Sequence, residues 1–202
     1  MKRLRTEKIQ DASSISESSE WQRAQDQIYE AIGAIVWPPD ASDFRINPVK
    51  TGNGVVPIKH AFVETLNRYG WKMEVEFPGK LGRVDASLET AIGTFGVEWE
   101  TGNVTSSYRS LNRLSLGLIH GTIVAGVLVL PSRALYRYLT DRIGNFQEVE
   151  RFFELYSYLP LPNHLFHVIE VEHDSVDLSV PFIPKGTDGW ALVQRPLVSD
   201  DQ

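Results

Sequence analysis

Apolar side chains recur at helical spacing at Trp21, Ala24, Ile28, Ala31, Ile32 and Ile35, and the Pro38-Pro39 pair stops the run after Trp37. This pattern predicts an amphipathic helix. After a loop marked by Gly52, Asn53 and Gly54, a second helical face appears at Ile58, Phe62, Leu66 and Tyr69, with Gly70 placed to end it. The period then changes to two. Met73, Val75 and Phe77 alternate with Lys72, Glu74 and Glu76. Val84, Ala86 and Leu88 alternate with Arg83, Asp85 and Ser87, and Phe95, Val97 and Trp99 with Thr94, Gly96 and Glu98. These are three predicted strands. Tyr108, Leu111, Leu114, Ser115 and Leu118 return to helical spacing, ahead of the wholly apolar run Ile123 to Leu130, the pattern of a central strand covered on both faces. A helical region interrupted near Gly144 is expected from Ser132 to Tyr158, and a last strand from Leu165 to Glu172. Residues 1–19, rich in Ser and charge, are expected to form a flexible lead, and residues 173–202 an irregular tail.

A chain of 202 residues with 42% apolar content supports one sizeable core, so one domain is expected over 1–202. With no cysteine, neither a disulfide framework nor a thiolate metal site is available, which suits a reducing cytoplasm. The longest apolar run is far too short for a membrane span, and the basic start runs into acids and serines without the apolar core of a signal peptide. A net charge of −6 argues against a generic nucleic-acid coat. It still allows a site-specific enzyme whose basic residues are gathered in one cleft and whose carboxylates bind metal.

Candidate chemistry concentrates in two of the predicted strands. Strand alternation puts Glu98 and Glu100 on one face and Trp99 on the other, and a turn at Gly93 can bring Asp85 alongside them. Three carboxylates with room for water and phosphate are a donor set for Mg²⁺, and such a site suits phosphodiester hydrolysis. Taken alone, an Asp and a Glu-x-Glu on strands are common and mostly face solvent. The five histidines have no cysteine partners and no zinc-type arrangement.

The wider context is a resemblance over about residues 44–172. The order of elements runs from Asp43–Pro48 through the helix 57–71, Asp85, "VEWETGN" at 97–103, the helix 106–119 and "TIVAGVLVLP" at 122–131 to "SRALYRYLTDRIGNFQEVERFFELY" at 132–156. It resembles the BglII/BstYI/BamHI group of type II restriction enzymes, within the PD-(D/E)xK nucleases. The resemblance implies an α/β fold with a PD-(D/E)xK restriction-endonuclease-like core, a mixed central sheet flanked by helices on both sides. It implies Asp85 and Glu98 as metal ligands, and Glu100 as the third catalytic group, a position where members of the group carry Gln or Glu. Whether Glu100 is a ligand or the base for the attacking water stays open.

By the same resemblance, Lys59 lies on a helix that approaches the active site, where it would neutralise phosphate or assist the nucleophile. Asn103, Arg133, Asp141 and Arg142 fall where the group contacts DNA, Arg being suited to guanine and Asn to adenine. The implied substrate is a palindromic duplex with a GATC core, cut before the G to leave a four-base 5′ overhang. The implied assembly is a homodimer built through helices within 108–119 and 133–156, with a methyltransferase acting on the same DNA site. Two other readings use the same residues: a PD-(D/E)xK nuclease without sequence specificity or devoted to repair, and a non-catalytic DNA-binding domain.

Overall fold

The computed structural model describes residues 1–78, 81–140 and 142–185. Its centre is a six-stranded sheet in the order β1-β7-β6-β5-β4-β3, formed by β1 (Lys2–Asp11), β3 (Lys72–Phe77), β4 (Gly82–Thr90), β5 (Gly93–Trp99), β6 (Ala125–Pro131) and β7 (Leu165–Glu172). Strands β5, β6 and β7 run parallel, while β3, β4 and β1 pair antiparallel to their neighbours, so the sheet is mixed as expected. The helix α4 (Val104–Ile119) connects β5 to β6, a crossover that parallel pairing requires.

The apolar run in β6 follows from its position between two helical layers. Val127 and Val129 join the core beneath α2 (Ser19–Gly33) and α3 (Val56–Arg68), with Trp21, Ile28, Phe62, Leu66, Phe95, Val97 and Trp99. Leu128 and Leu130 join the opposite core, with Leu111, Leu114 and Leu118 of α4, Phe146 of α6 (Phe146–Val149) and Phe153 of α7 (Phe153–Ser157). Local signals set the helix ends. The Ser18 side chain accepts from the Trp21 N–H at the start of α2, and Gly70, at φ +84°, follows α3 in the left-handed conformation. No helix among the described residues is long and apolar enough to cross a membrane.

Three expectations need correction. Residues 1–19 are not a flexible lead. Lys2–Asp11 forms the edge strand β1 on β7, Ser13–Ser16 is a short helix α1, and Ile9 and Ile15 are buried. The strand was hidden because an edge strand needs few apolar residues and is blunted by charge, here Lys2, Arg3, Arg5, Glu7 and Lys8. The region after Ser132 holds only short pieces: α5 (Arg133–Tyr136), α6, a 3-10 turn at Glu150–Phe152, and α7. The start of the tail is tied down. β8 (Ser175–Val176) pairs in parallel with β2 (Arg45–Ile46), the buried Asn47 and Asn53 hold the backbone of residues 178–183, and residues 186–202 lie outside the described set. If β1 is integral to the fold, Ile9→Ala lowers stability by about 2 kcal/mol or more, read as a shift of the urea midpoint. A flexible lead would leave the midpoint unchanged.

Candidate active site

The β4–β5 hairpin brings the predicted carboxylates together. Its turn closes between Thr90 and Gly93, with the Thr90 hydroxyl donating to the Gly93 carbonyl at 2.6 Å. The ladder then runs to Ala86 opposite Val97, which puts Asp85 beside Glu98 where the pairing of the two strands stops. Asp85, Glu98 and Glu100 line one pocket of about 360 Å³, together with Lys59 from α3 and Ser106, Arg109, Ser110 and Arg113 from α4. Asp85 and Glu98 are buried, at 6% and 3% exposure.

Each carboxylate is held by specific donors. Asp85 accepts from Lys59 Nζ at 2.6 Å and from the Trp99 N–H at 2.8 Å. Glu98 is paired with Arg113 Nη1, whose Nε also donates to the Leu81 carbonyl at 2.9 Å. Glu100 accepts from the Gly102 N–H at 2.5 Å and from the Ser110 hydroxyl at 3.0 Å. The close approach leaves no room at Gly102, where a Cβ would lie 2.6 Å from Glu100 Oε1.

The electrostatics follow from burial and crowding. Desolvation, reinforced by the charge on Asp85, pushes the Glu98 carboxyl up to about 8 against the pull of Arg113. Burial also raises Glu100, opposed by its bonds from Gly102 and Ser110. Burial works against the Lys59 ammonium, but Asp85, with Glu74 and Glu98 behind it, outweighs burial and raises its pKa. Glu74 therefore acts on the site too, from an exposed position opposite Asp85 with φ +50°.

The donor set fits a divalent cation: hard oxygens only, several carboxylates in one pocket, and one of them pushed far up by burial and, after that, by a neighbour of like charge. The present arrangement is nevertheless not a ligand cage. Among the described residues no group of three His, Asp or Glu side chains stands ready to hold a metal ion. The geometry supplies the reason, since Asp85 and Glu98 each lean on a cationic side chain.

The residues expected to meet DNA are distributed unevenly. Asn103 is the N-cap of α4, its Oδ1 accepting from the Ser106 N–H at 2.9 Å, and its backbone bridges to Ile143. The Gly144 N–H donates to the Gly102 carbonyl at 2.9 Å, so the exposed Arg142 sits on a loop fastened beside the end of β5. Arg133 is exposed at the start of α5 and does not line the pocket, and Asp141 lies outside the described residues. The sequence reading missed Ser106, Arg109, Ser110 and Arg113. Their signal was present as a polar stripe at i, i+3, i+4 and i+7 on α4, but only the apolar stripe of that helix was used.

Comparison with known proteins identifies the family. The family model "Restriction endonuclease BamHI" matches residues 1–190. Type II restriction enzyme OkrAI of Oceanobacter kriegii is 43% identical over 170 residues, covering 82% of this chain and 88% of that protein. Type II restriction enzyme BamHI of Bacillus amyloliquefaciens is 36% identical over 182 residues, covering 84% and 83%. Among solved structures, BglII complexed with a DNA 16-mer superposes with a TM-score of 0.64 at 10% identity, covering 86% of this chain and 79% of that one. Free BglII gives 0.52 at 9% identity, covering 85% and 81%. At these identities the BglII likeness shows the fold, a mixed restriction-endonuclease sheet with helices on both sides. A match along nearly the whole chain and two relatives above one-third identity lead to one conclusion: the chain belongs to the BamHI family of type II restriction endonucleases.

Proposed function

We propose that this protein hydrolyses one phosphodiester in each strand of a palindromic DNA duplex, using Mg²⁺ held by Asp85 and Glu98, with Glu100 beside them. The observation that carries this reading is the convergence of the three carboxylates and Lys59 on one pocket where the β4–β5 pairing ends. Mg²⁺, when bound, polarises the scissile phosphate and lowers the pKa of a water. Burial raises the Glu100 carboxyl above its ordinary value, which favours Glu100 as the group that takes the proton of the attacking water, while the bonds from Gly102 and Ser110 fix its orientation. Lys59 neutralises charge on the phosphate. Ser106, in the first turn of α4, offers its hydroxyl and the favourable helix dipole to the same phosphate.

Asn103 and Arg142, brought side by side by the Asn103–Ile143 bridge, are our candidates for contact with bases, with Arg133 and Asp141 as further DNA contacts. The GATC core, the 5′ overhang and a methyltransferase protecting the same site rest on the resemblance alone. A second copy is supported by an apolar surface. Phe152, Leu155 and Tyr158 are 48%, 64% and 77% exposed, and Tyr108 of α4 meets Phe152 edge-on. A twofold dimer places one active site on each strand of a palindrome.

Digestion of unmethylated plasmid is expected to give discrete fragments with Mg²⁺ and none with a chelator, and end mapping then identifies the site. A continuous smear would instead mark a nuclease without sequence specificity. Asp85→Asn and Glu98→Gln are each expected to lower cleavage on the order of a thousandfold or more, corresponding to several kcal/mol of lost charge stabilisation. If both variants keep near-normal cleavage, the assignment of the site fails.

Leu155→Glu is expected to give the 22.8 kDa mass of one chain in light scattering, where the parent gives twice that.

Without divalent metal, stability should fall as pH rises. A carboxyl raised to about 8 from its unfolded value of 4.5 binds more protons folded than unfolded across that interval, so its contribution is complete below the unfolded value and is lost through about 8. Burial depresses His167 to about 4, and this acts in the opposite direction, with the gain complete above the unfolded histidine range. Between pH 7 and 8 the Glu98 effect therefore dominates, and stability falls across that interval. Urea titrations should show this slope in the metal-free parent, and Glu98→Gln should flatten it.

A further inference from the structure

We infer that Lys59 and Arg113 are resident counter-cations of the metal-free site. A divalent cation must displace them, and Arg113, once displaced, turns to the DNA phosphate. The inference rests on the metal-dependent reading above and concerns what the site does before metal and DNA arrive.

Each of the two most buried carboxylates of the pocket is paired with one cation, and the two cations come from opposite helical layers. Lys59 Nζ reaches Asp85 from α3 at 2.6 Å, and Arg113 Nη1 reaches Glu98 from α4. A carboxylate oxygen that accepts from an ammonium or guanidinium cannot at the same time give its full charge to a metal ion, so the cations compete for the same atoms. The absence of any ready ligand trio among the described residues is what such pairing produces. Arg113 is further held by the Leu81 carbonyl, and its side chain is only 14% exposed. It is therefore fastened in place and not merely lying near Glu98.

When metal occupies Glu98, a guanidinium left in a pocket wall lacks an anion. The scissile phosphate, which must enter that pocket, is the anion whose geometry suits its planar fork. The exchange keeps the guanidinium on an oxygen acceptor throughout: Arg113 on Glu98 before loading, metal on Glu98 and Arg113 on phosphate afterwards. Metal uptake is thereby weak without DNA and strengthened by it. Arg113 and Lys59 act on the metal through the carboxylates, and in that respect are positioning residues.

The test measures Mn²⁺ binding to the DNA-free protein, by loss of the free-ion electron paramagnetic resonance signal. Arg113→Met is expected to bind Mn²⁺ tenfold or more tightly than the parent, with Arg113→Lys in between. If Arg113 only orients Glu98 as a ligand, its removal loosens Glu98 and weakens binding. Equal or weaker binding by an Arg113→Met protein that melts cooperatively overturns the inference. Should that variant fail to fold, Lys59→Met, at a side chain 40% exposed, carries the same expectation through Asp85 and the same refutation. Asp85→Asn separates the two levels of the argument. If no Mn²⁺ binding is sensitive to Asp85→Asn in any of these proteins, the metal reading itself is wrong. If such binding exists and the folded Arg113→Met protein, or Lys59→Met in its place, does not tighten it, only the counter-cation inference falls.

Discussion

Two carboxylates placed side by side where the β4–β5 ladder ends, and almost withdrawn from water, are the constraint around which the pocket is arranged. Burying one such charge is unfavourable, and burying two together adds their repulsion. The surroundings are organised to offset it. A backbone N–H and an ammonium serve Asp85, and a guanidinium serves Glu98. A backbone N–H and a hydroxyl serve Glu100. What remains uncompensated appears as the raised pKa of Glu98. A site left short of positive charge in this way is disposed to accept a cation.

The layered fold makes this possible. Trp99 points into the core under α3, close to Phe62, while its neighbours Glu98 and Glu100 line the pocket. One strand end thus anchors itself in packing and presents chemistry at once. The two helices that supply cations belong to different cores, so Lys59 and Arg113 approach from opposite layers.

The loop that carries Arg142 is fastened at both ends to elements of the site. Its start bridges from Leu139 to the fully buried Asn53, just ahead of α3, and its end from Ile143 to Asn103. Asn53 joins three segments. Its amide donates to the carbonyls of Asn47 and Tyr138 and accepts from the Ile183 N–H. Residues proposed to read DNA and residues proposed to cut it are therefore linked through short backbone connections.

Much of this was legible along the chain because it depends on local repeats. Alternation placed Glu98 and Glu100 on one side and Trp99 on the other. An uninterrupted apolar run marked β6 as covered on both faces, and Gly70 and Gly93 marked the helix end and the hairpin. The resemblance of ordered motifs pointed to the family. Contacts between distant segments were not legible. β1 is a strand because β7 offers it hydrogen bonds, and its own residues scarcely announce it. Arg113 is a site residue because the α4 crossover carries it over Glu98, and Lys59 because α3 packs beneath the same strand end. The sequence by itself determined which strands carry carboxylates and which way they face, since side-chain direction in a strand depends only on its own period. Which cations meet those carboxylates was decided by tertiary structure alone, because an ion pair depends on distances set by packing across many residues of intervening chain.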